Sequence, residues 1–190
     1  MKKWNVVFCA ALLVLPAIAG LAQGQAEAEV TGEMPPMGPP EEMKQLEHMV
    51  GTWTVEGEMF MDPTQPEPTP FTAIAEFEYE LGGAIMEMEY TSEMMGMPYT
   101  GYSITTWDRE NKVWQDSWVD NLSCRQILMT GHETDGQRVM TCVDKYMGTT
   151  YHMRNTSYNM TETSFDWKME QSTDGGETWY TSMTATYTKQ

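Results

Sequence analysis

The sequence places one carboxylate between two tryptophans, at Trp114, Asp116 and Trp118. Side chains at alternate positions of a β-strand point to the same face, so these three share a face if the segment is extended. An inward carboxylate among aromatic rings costs free energy unless it is hydrogen-bonded or binds a ligand. Because buried polar groups usually find partners within the protein, we expect Asp116 to bond a backbone amide or an arginine. A ligand-binding carboxylate is the alternative.

The three histidines lie in separate segments and match no zinc-binding spacing such as H-E-x-x-H. His152 falls in a strand-like segment and is the candidate axial ligand if the protein holds a haem, although a solvent-facing or hydrogen-bonded imidazole is the commoner case. Serine catalysis is not indicated, because the sequence has no G-x-S-x-G turn. We therefore predict no catalytic residue, no metal ion and no cofactor.

Methionine is abundant, with 19 residues in the chain. Thioether sulfur is a soft ligand that suits Cu(I), and Met94, Met95 and Met97 lie in one short segment. His48 and His152 would add imidazoles to such a site. Methionine is also an adaptable filler of cores and binding surfaces, and this role fits its alternating positions in strand-like segments. Copper binding is therefore a minor alternative.

A disulfide between Cys124 and Cys142 is predicted from a hairpin register. Two strand-like runs flank the turn-rich segment 131–136. If the hairpin folds about position 133, the two cysteines lie opposite each other, with Cα atoms ~4.5–5.5 Å apart. A disulfide tolerates that separation, and paired cysteines in exported proteins are usually bridged.

The N-terminus has the layout of a secretory signal peptide, which we place at residues 1–22. Lys2 and Lys3 precede an uncharged apolar run from Trp4 to Ile18, and Ala17-Ile18-Ala19 offers a cleavage site. The run is too short to span a bilayer comfortably, so an uncleaved N-terminal anchor is the lesser alternative. Residues 23–40 form a linker rich in Pro, Gly and Glu.

The chain is strongly acidic, with a formal net charge of −17 at pH 7. Nucleic-acid binding depends largely on basic residues that replace phosphate counterions, so a nucleic-acid partner is excluded. Anionic membrane surfaces are disfavoured for the same reason, and no integral membrane segment is expected after signal removal. We predict an exported protein that is either periplasmic or extracellular.

Residues 41–190 are predicted to form a single all-β domain. A short helix over residues 41–49 precedes segments in which apolar and polar residues alternate, such as 71–81, 165–169 and 179–187. This period of two is typical of antiparallel strands with one buried face. Roughly ten strands linked by short turns favour an up-and-down barrel, which leaves no free edges. A two-sheet sandwich is the competing architecture.

Residues 172–179, with the sequence STDGGETW, match the Asp-box pattern of sialidase propellers. One copy cannot build a propeller of four-stranded blades. Aspartate and glycine are common in tight turns, where aspartate accepts backbone amides and glycine supplies positive φ. We therefore predict a hairpin turn here and no catalytic role.

Several motifs, in order, resemble the bacterial family called domain of unknown function 1579, from about residue 42 to 188. They are Gly51-Thr52-Trp53 after Leu46, Leu81-Gly82-Gly83, Tyr99-Thr100-Gly101-Tyr102, Trp107-Asp108, Trp114-x-Asp116-Ser117, Asp174-Gly175-Gly176, Met183 and Tyr187. Residues 104–106, which are Ile-Thr-Thr before Trp107-Asp108, depart from the family pattern, in which Gly, Tyr and Asp follow one another more closely. The resemblance implies a lipocalin-like, or calycin-like, barrel and no established activity.

The combined prediction is an exported binding module that holds a small apolar or amphipathic ligand inside the barrel, as barrels of this size can. A structural or interaction protein with a filled barrel is the alternative, and a pocket of roughly 300 Å³ or more would favour the ligand. The candidate residues of the lumen or its mouth are Trp53, Phe77, Tyr102, Trp114, Asp116, Trp118 and His152.

Overall fold

The structure, a computed structural model, describes residues 37–60 and 67–190 and forms a closed barrel of ten antiparallel strands. The strands are β1 (Gly51–Met59), β2 (Thr69–Glu80), β3 (Ile85–Met94), β4 (Met97–Asp108), β5 (Val113–Asp120), β6 (Gln126–Thr134), β7 (Gln137–Tyr146), β8 (Thr149–Tyr158), β9 (Ser164–Ser172) and β10 (Tyr180–Lys189). Each strand pairs with the next one, and β10 pairs with β1. The predicted all-β up-and-down, calycin-like barrel is confirmed, and the sandwich alternative is wrong.

The strands follow the alternation seen in the sequence. On β1, Trp53 and Val55 are buried inside the barrel, whereas Glu56 and Glu58 are exposed on its outer face. Burying the apolar set stabilises the barrel in proportion to the area removed from water, at roughly 25 cal/mol per Å². Antiparallel pairing satisfies the backbone groups, and ring closure leaves no unpaired edge strand.

A 3-10 helix over Glu41–Met49 covers one end of the barrel. Its Met43 and Leu46 side chains are buried in the core. The Trp53 indole donates a hydrogen bond to the Met49 carbonyl at 2.7 Å, and the Tyr79 hydroxyl donates to the Met43 carbonyl. The helix was predicted at this position, and these contacts fix it on the barrel.

The barrel therefore has two different ends. We call the end that holds the 3-10 helix and the turns after β2, β4, β6 and β8 the helix end. The opposite end, with the connections after β1, β3, β5, β7 and β9, is the open end. Aromatic rings fill the helix end: the Trp53 ring centroid lies 6.3 Å from that of Phe77 and 5.2 Å from that of Phe165, which stacks on Tyr187 at 4.3 Å.

The β6–β7 hairpin has a different register from the predicted one. Thr134 pairs with Gln137, and Asp135 and Gly136 between them both have positive φ, 53° and 72°. An Asp-Gly pair is a preferred two-residue hairpin turn, and it moves the centre of the hairpin beyond position 133.

The predicted disulfide is consequently wrong, and Cys124 and Cys142 are both free thiols. Cys124 lies in the turn after β5, where its amide donates to the Asp120 carbonyl at 3.1 Å. Cys142 pairs with Met153 on β8, and burial raises the pKa of its thiol to about 11.

The predicted signal peptide and residues 23–36 of the predicted linker lie outside the described residues. Over residues 37–60 and 67–190, no helix combines the length and the apolar content needed to cross a bilayer.

Candidate ligand-binding cavity

A cavity of about 450 Å³ occupies the barrel interior toward the open end. Met59, Met94 and Asp120 line it and are the last residues of β1, β3 and β5, so the cavity reaches the open end. The other lining residues are Thr69, Pro70, Phe71, Met88, Tyr90, Ser92, Glu93, Met95, Tyr99, Ser103, Asp116, Trp118, Ile127, Met129, Met153, Asn155, Trp167, Met169, Met183, Ala185 and Tyr187. A volume of this size falls within the range of small-molecule sites.

Aromatic rings form one wall of the cavity. The Tyr90 ring centroid lies 6.1 Å from that of Tyr99 and 5.9 Å from that of Trp118, both in edge-on geometry. Gly101 makes room for the Trp118 indole, since a Cβ atom at this position would lie 2.1 Å from the ring. Burial raises the pKa of Tyr90 to about 12, so its phenol remains protonated at physiological pH.

Asp116 marks the floor of the cavity. Its Oδ1 accepts a hydrogen bond from the Thr105 hydroxyl at 2.9 Å. Burial raises the pKa of this carboxyl above its usual value. The hydrogen bonds from Thr105 and the Ser117 backbone and the charge of Arg138 lower the pKa, but burial outweighs them. The predicted inward carboxyl is thus present, and it is bonded to a hydroxyl and a backbone amide.

Two further polar side chains line the cavity near this carboxyl. Met129 pairs with Asp116 across β5 and β6, and its sulfur accepts a hydrogen bond from Asn155 Nδ2 at 3.2 Å. The Asn155 Oδ1 atom is buried and has no hydrogen-bond partner among the described residues. Ser103 is also buried. A buried acceptor without a hydrogen-bond partner costs free energy in a folded protein. We therefore expect a molecule in the cavity to donate a hydrogen bond to Asn155 Oδ1.

A cation lies beyond the floor, in the layer toward the helix end. The Arg138 guanidinium stacks over the Trp114 ring at 4.4 Å from its centroid and donates to a Glu133 carboxylate oxygen at 2.9 Å. Trp114 in turn packs against Trp107 at 5.2 Å. Arg138 and Trp114 are buried and do not line the cavity.

Asp120 lies at the cavity mouth, four residues after Asp116 on the same face of β5. Its pKa shifts in the opposite direction to that of Asp116. Burial opposes its ionisation, but hydrogen bonds to Trp118, Leu122 and Ser123 outweigh that effect and lower its pKa. The Ser123 amide donates to Oδ1 at 2.6 Å, and the Trp118 indole donates to Oδ2 at 3.0 Å. Asp120 therefore orders the turn after β5 and orients the Trp118 ring.

The predicted candidate residues fall into three groups. Asp116 and Trp118 line the cavity. The side chains of Trp53, Phe77 and Trp114 point inward but belong to the packed interior and do not line the cavity.

Tyr102 and His152, which were predicted at the lumen or its mouth, do not line the cavity. Tyr102 lies between the inward residues Gly101 and Ser103, and it pairs with Glu89 on the outer face. A hydrogen bond to Glu87 and partial burial raise its pKa to about 12. His152 pairs with the exposed Val143 and so faces outward.

The sequence reasoning missed several residues of the cavity wall. Tyr90, Tyr99, Trp167 and Asn155 line it but were not selected as candidates. Trp167 lies in a segment where the alternation was recognised, so its inward direction was available from the pattern. Asn155 carried no such signal, because a single amide on a strand does not indicate which face is buried.

Two other features bear on chemistry. Over residues 37–60 and 67–190, no group of three or more His, Cys, Asp or Glu side chains is placed to hold a metal ion. In the Asp-box segment, Asp174 accepts from the Ser172 hydroxyl at 2.6 Å and from the backbone amides of Glu177 and Thr178 at 3.0 and 2.9 Å. These bonds lower its pKa and shape a turn, as predicted.

Comparisons with known proteins agree with the architecture. In fold, the chain is similar to the crystal structure of Rv2717c from M. tuberculosis, with a TM-score of 0.58 and 11% identity, covering 80% of this chain and 99% of that one. A search of curated proteins gave no match. The family model described as "Protein of unknown function (DUF1579)" matches residues 38–189. The chain therefore belongs to the DUF1579 family.

Proposed function

We propose that this protein binds one small apolar or amphipathic molecule in the cavity at the open end of the barrel. The observation that carries the proposal is an interior space of about 450 Å³ in a barrel whose helix end is filled by aromatic side chains. Its walls are mainly aromatic and methionine side chains, with a few polar groups at the floor and at the mouth. Small-molecule sites commonly combine such apolar walls with a few placed polar groups, and methionine lets a wall adapt to its ligand.

The alternatives are less well supported. A filled barrel would leave no space at the open end, where a cavity of about 450 Å³ lies. A haem would need an axial ligand inside the barrel, and among the described residues none of the cavity-lining side chains is a histidine. Copper binding by methionine alone has sulfur atoms available but no defined coordination pattern.

Export is a second part of the proposal. It is supported by the signal-peptide pattern of residues 1–22. The test is the mass of the mature protein recovered from the native host, separated into cytoplasmic, periplasmic and extracellular fractions. Cleavage after Ala19, Ala22 or Ala26 in an exported fraction is expected, and full-length protein in the cytoplasm would contradict it.

Ligand binding is tested with N-phenyl-1-naphthylamine, a neutral fluorophore that brightens in apolar surroundings. We expect saturable binding, accompanied by quenching of tryptophan emission because Trp118 and Trp167 lie in the wall. Native mass spectrometry of protein purified from its own host would identify a retained ligand.

A pair of neighbouring substitutions localises the binding. Ile127 lines the cavity, whereas Leu128 is exposed on the outer face of the same strand. Ile127→Trp should fill the cavity and weaken probe binding about tenfold or more, which corresponds to ~1.4 kcal/mol. Leu128→Trp should leave it unchanged. Absence of saturable binding to the native protein, or equal effects of the two substitutions, would contradict the proposal.

A further inference from the structure

The charges around the cavity select against an anionic ligand. Among the described residues that line it, none is Lys, Arg or His, while Asp116, Asp120 and Glu93 are carboxylic acids. Arg138 is held by Glu133 and Trp114 in the adjoining layer. A ligand carboxylate would therefore enter without a cationic partner among the described residues that line the cavity, in a protein whose formal net charge is −17. A buried charge without a partner is strongly disfavoured.

The floor of the cavity has spare capacity to accept hydrogen bonds. Among the described residues, the Thr105 hydroxyl and the Ser117 backbone donate to the Asp116 carboxyl, and a carboxylate accepts about four hydrogen bonds. The Asn155 Oδ1 atom is buried and unpartnered among the described residues. Asn155 contacts Met129, which is the cross-strand neighbour of Asp116. A ligand group that donates several hydrogen bonds would satisfy both acceptors.

The aromatic wall suits the same kind of group. Tyr90, Trp118 and Trp167 line the cavity, and the faces of such rings attract cations. A protonated amine is the head group that combines positive charge with several N–H donors. An apolar body attached to it would fill the space among the methionine and aromatic side chains.

We propose that the cavity takes an organic amine, with its protonated nitrogen at Asp116 and Asn155 and its apolar body toward the open end. This inference rests on the proposed function and specifies its ligand class. Burial disfavours the ionised form of the Asp116 carboxyl, and an ammonium beside it favours that form. Pairing therefore offsets part of the desolvation cost of both groups. A neutral alcohol of the same length makes no such pair, and a carboxylate adds a like charge.

The test compares three ligands that share one chain: decylamine, decanol and decanoate. Each displaces N-phenyl-1-naphthylamine from the protein at neutral pH, below its micellar concentration. We expect decylamine to bind at least about tenfold more tightly than decanol, and decanoate to bind more weakly than decanol. This order is measured on the native protein and needs no substitution.

Two substitutions, each of which removes one negative charge, test whether Asp116 causes the preference for decylamine over decanol. Asp116→Asn keeps the shape of the floor and should reduce the affinity for decylamine to that for decanol, while decanol affinity changes by less than about twofold. Glu89→Gln removes one negative charge from the exposed outer face and should leave the order of the three affinities unchanged. This control distinguishes pairing with Asp116 from general attraction to the acidic surface.

The outcomes distinguish the two proposals. If the probe and decanol bind but decylamine has no advantage, or if Asp116→Asn keeps that advantage, the amine inference is overturned and the binding function survives. If decanoate binds most tightly, the inference is also overturned. If neither the probe nor any of the three ligands binds, the proposed function itself fails.

Discussion

The two ends of the barrel are built from the same strands but filled in different ways. At the helix end, the rings of Trp53, Phe77 and Phe165 pack edge to face, and the 3-10 helix covers them. At the open end, the inward side chains leave a cavity of about 450 Å³. Close packing supplies most of the stabilising contacts of a core, and an unfilled interior supplies space for a ligand. We infer that stability resides mainly in the helix end and ligand binding in the open end.

The largest effects are expected from tryptophan truncations at the two ends. Trp53 has no exposed surface and its indole bonds the Met49 carbonyl, so Trp53→Ala should lower the free energy of unfolding by about 3–5 kcal/mol. Trp118 borders an existing cavity, so Trp118→Ala should cost roughly 1–2 kcal/mol. Urea denaturation followed by circular dichroism measures both.

Ligand affinity should show the opposite ranking. Trp118→Ala should weaken probe binding about tenfold, because it removes a wall of the cavity. Trp53→Ala should leave the affinity of the folded fraction nearly unchanged. Equal losses of stability for the two variants would show that the two ends contribute equally to the free energy of unfolding.

Two glycines sharpen the comparison with smaller effects. A Cβ atom at Gly131, in the layer next to the helix end, would lie 1.9 Å from the Val139 carbonyl oxygen. The backbone cannot yield cheaply, so Gly131→Ala should destabilise the barrel by about 3 kcal/mol. At Gly101 the contact is with the Trp118 ring at 2.1 Å, and that ring can turn toward the cavity. Gly101→Ala should cost only about 1 kcal/mol.

The two alanine variants should also differ in binding. Gly101→Ala moves the Trp118 ring into the cavity, so the affinity for N-phenyl-1-naphthylamine should fall although most of the protein remains folded. Thermal unfolding, monitored with and without the probe, separates the two effects. If Gly101→Ala destabilises as strongly as Gly131→Ala, the indole is held rigidly and the open end is less adaptable than proposed.

The barrel architecture was predictable because it depends on a repeated pattern. Alternation over segments such as 71–81 fixes which residues share a face, and closure removes the edges that so many strands would expose. The hairpin register was less accessible, although Asp135-Gly136 is a turn signal in the sequence. Placing the turn at 133 was enough to predict a disulfide that the observed register does not allow.

The site was only partly predictable, for a physical reason. Tyr102 was predicted at the lumen or its mouth, yet the inward positions beside it hold Gly101 and Ser103, and the absence of a side chain at Gly101 leaves room for Trp118. Sequence alternation identifies the two faces of a strand, but it does not show how deep a side chain lies or whether the layer around it is filled. Trp114 and Trp118 share a face, and only Trp118 lines the cavity.

The smallest changes in the free energy of unfolding are expected from substitutions of Asp116 and Asp120, which lie on one face of β5. The two substitutions should change stability in opposite directions. Burial raises the pKa of Asp116 above its ordinary value of 3.8. The contribution of this carboxyl to stability is therefore fully present below pH 3.8 and is lost as the pH rises through the raised pKa. Asp116→Asn should therefore stabilise the protein at neutral pH, by roughly 1 kcal/mol. The gain should shrink as the pH falls toward 3.8.

Asp120 should behave in the reverse manner. Although burial opposes ionisation, its hydrogen bonds lower its pKa, so its stabilising effect is present above 3.8 and is lost as the pH falls through the lowered value. Asp120→Asn should destabilise at neutral pH by less than about 1 kcal/mol, because solvent screens this partly exposed group. Urea denaturation of the three proteins between pH 3 and 7 measures the differences. A stabilising Asp116→Asn that also loses its preference for decylamine would mean that the floor carboxyl serves binding at the expense of the fold, whereas a destabilising one would make it a structural group.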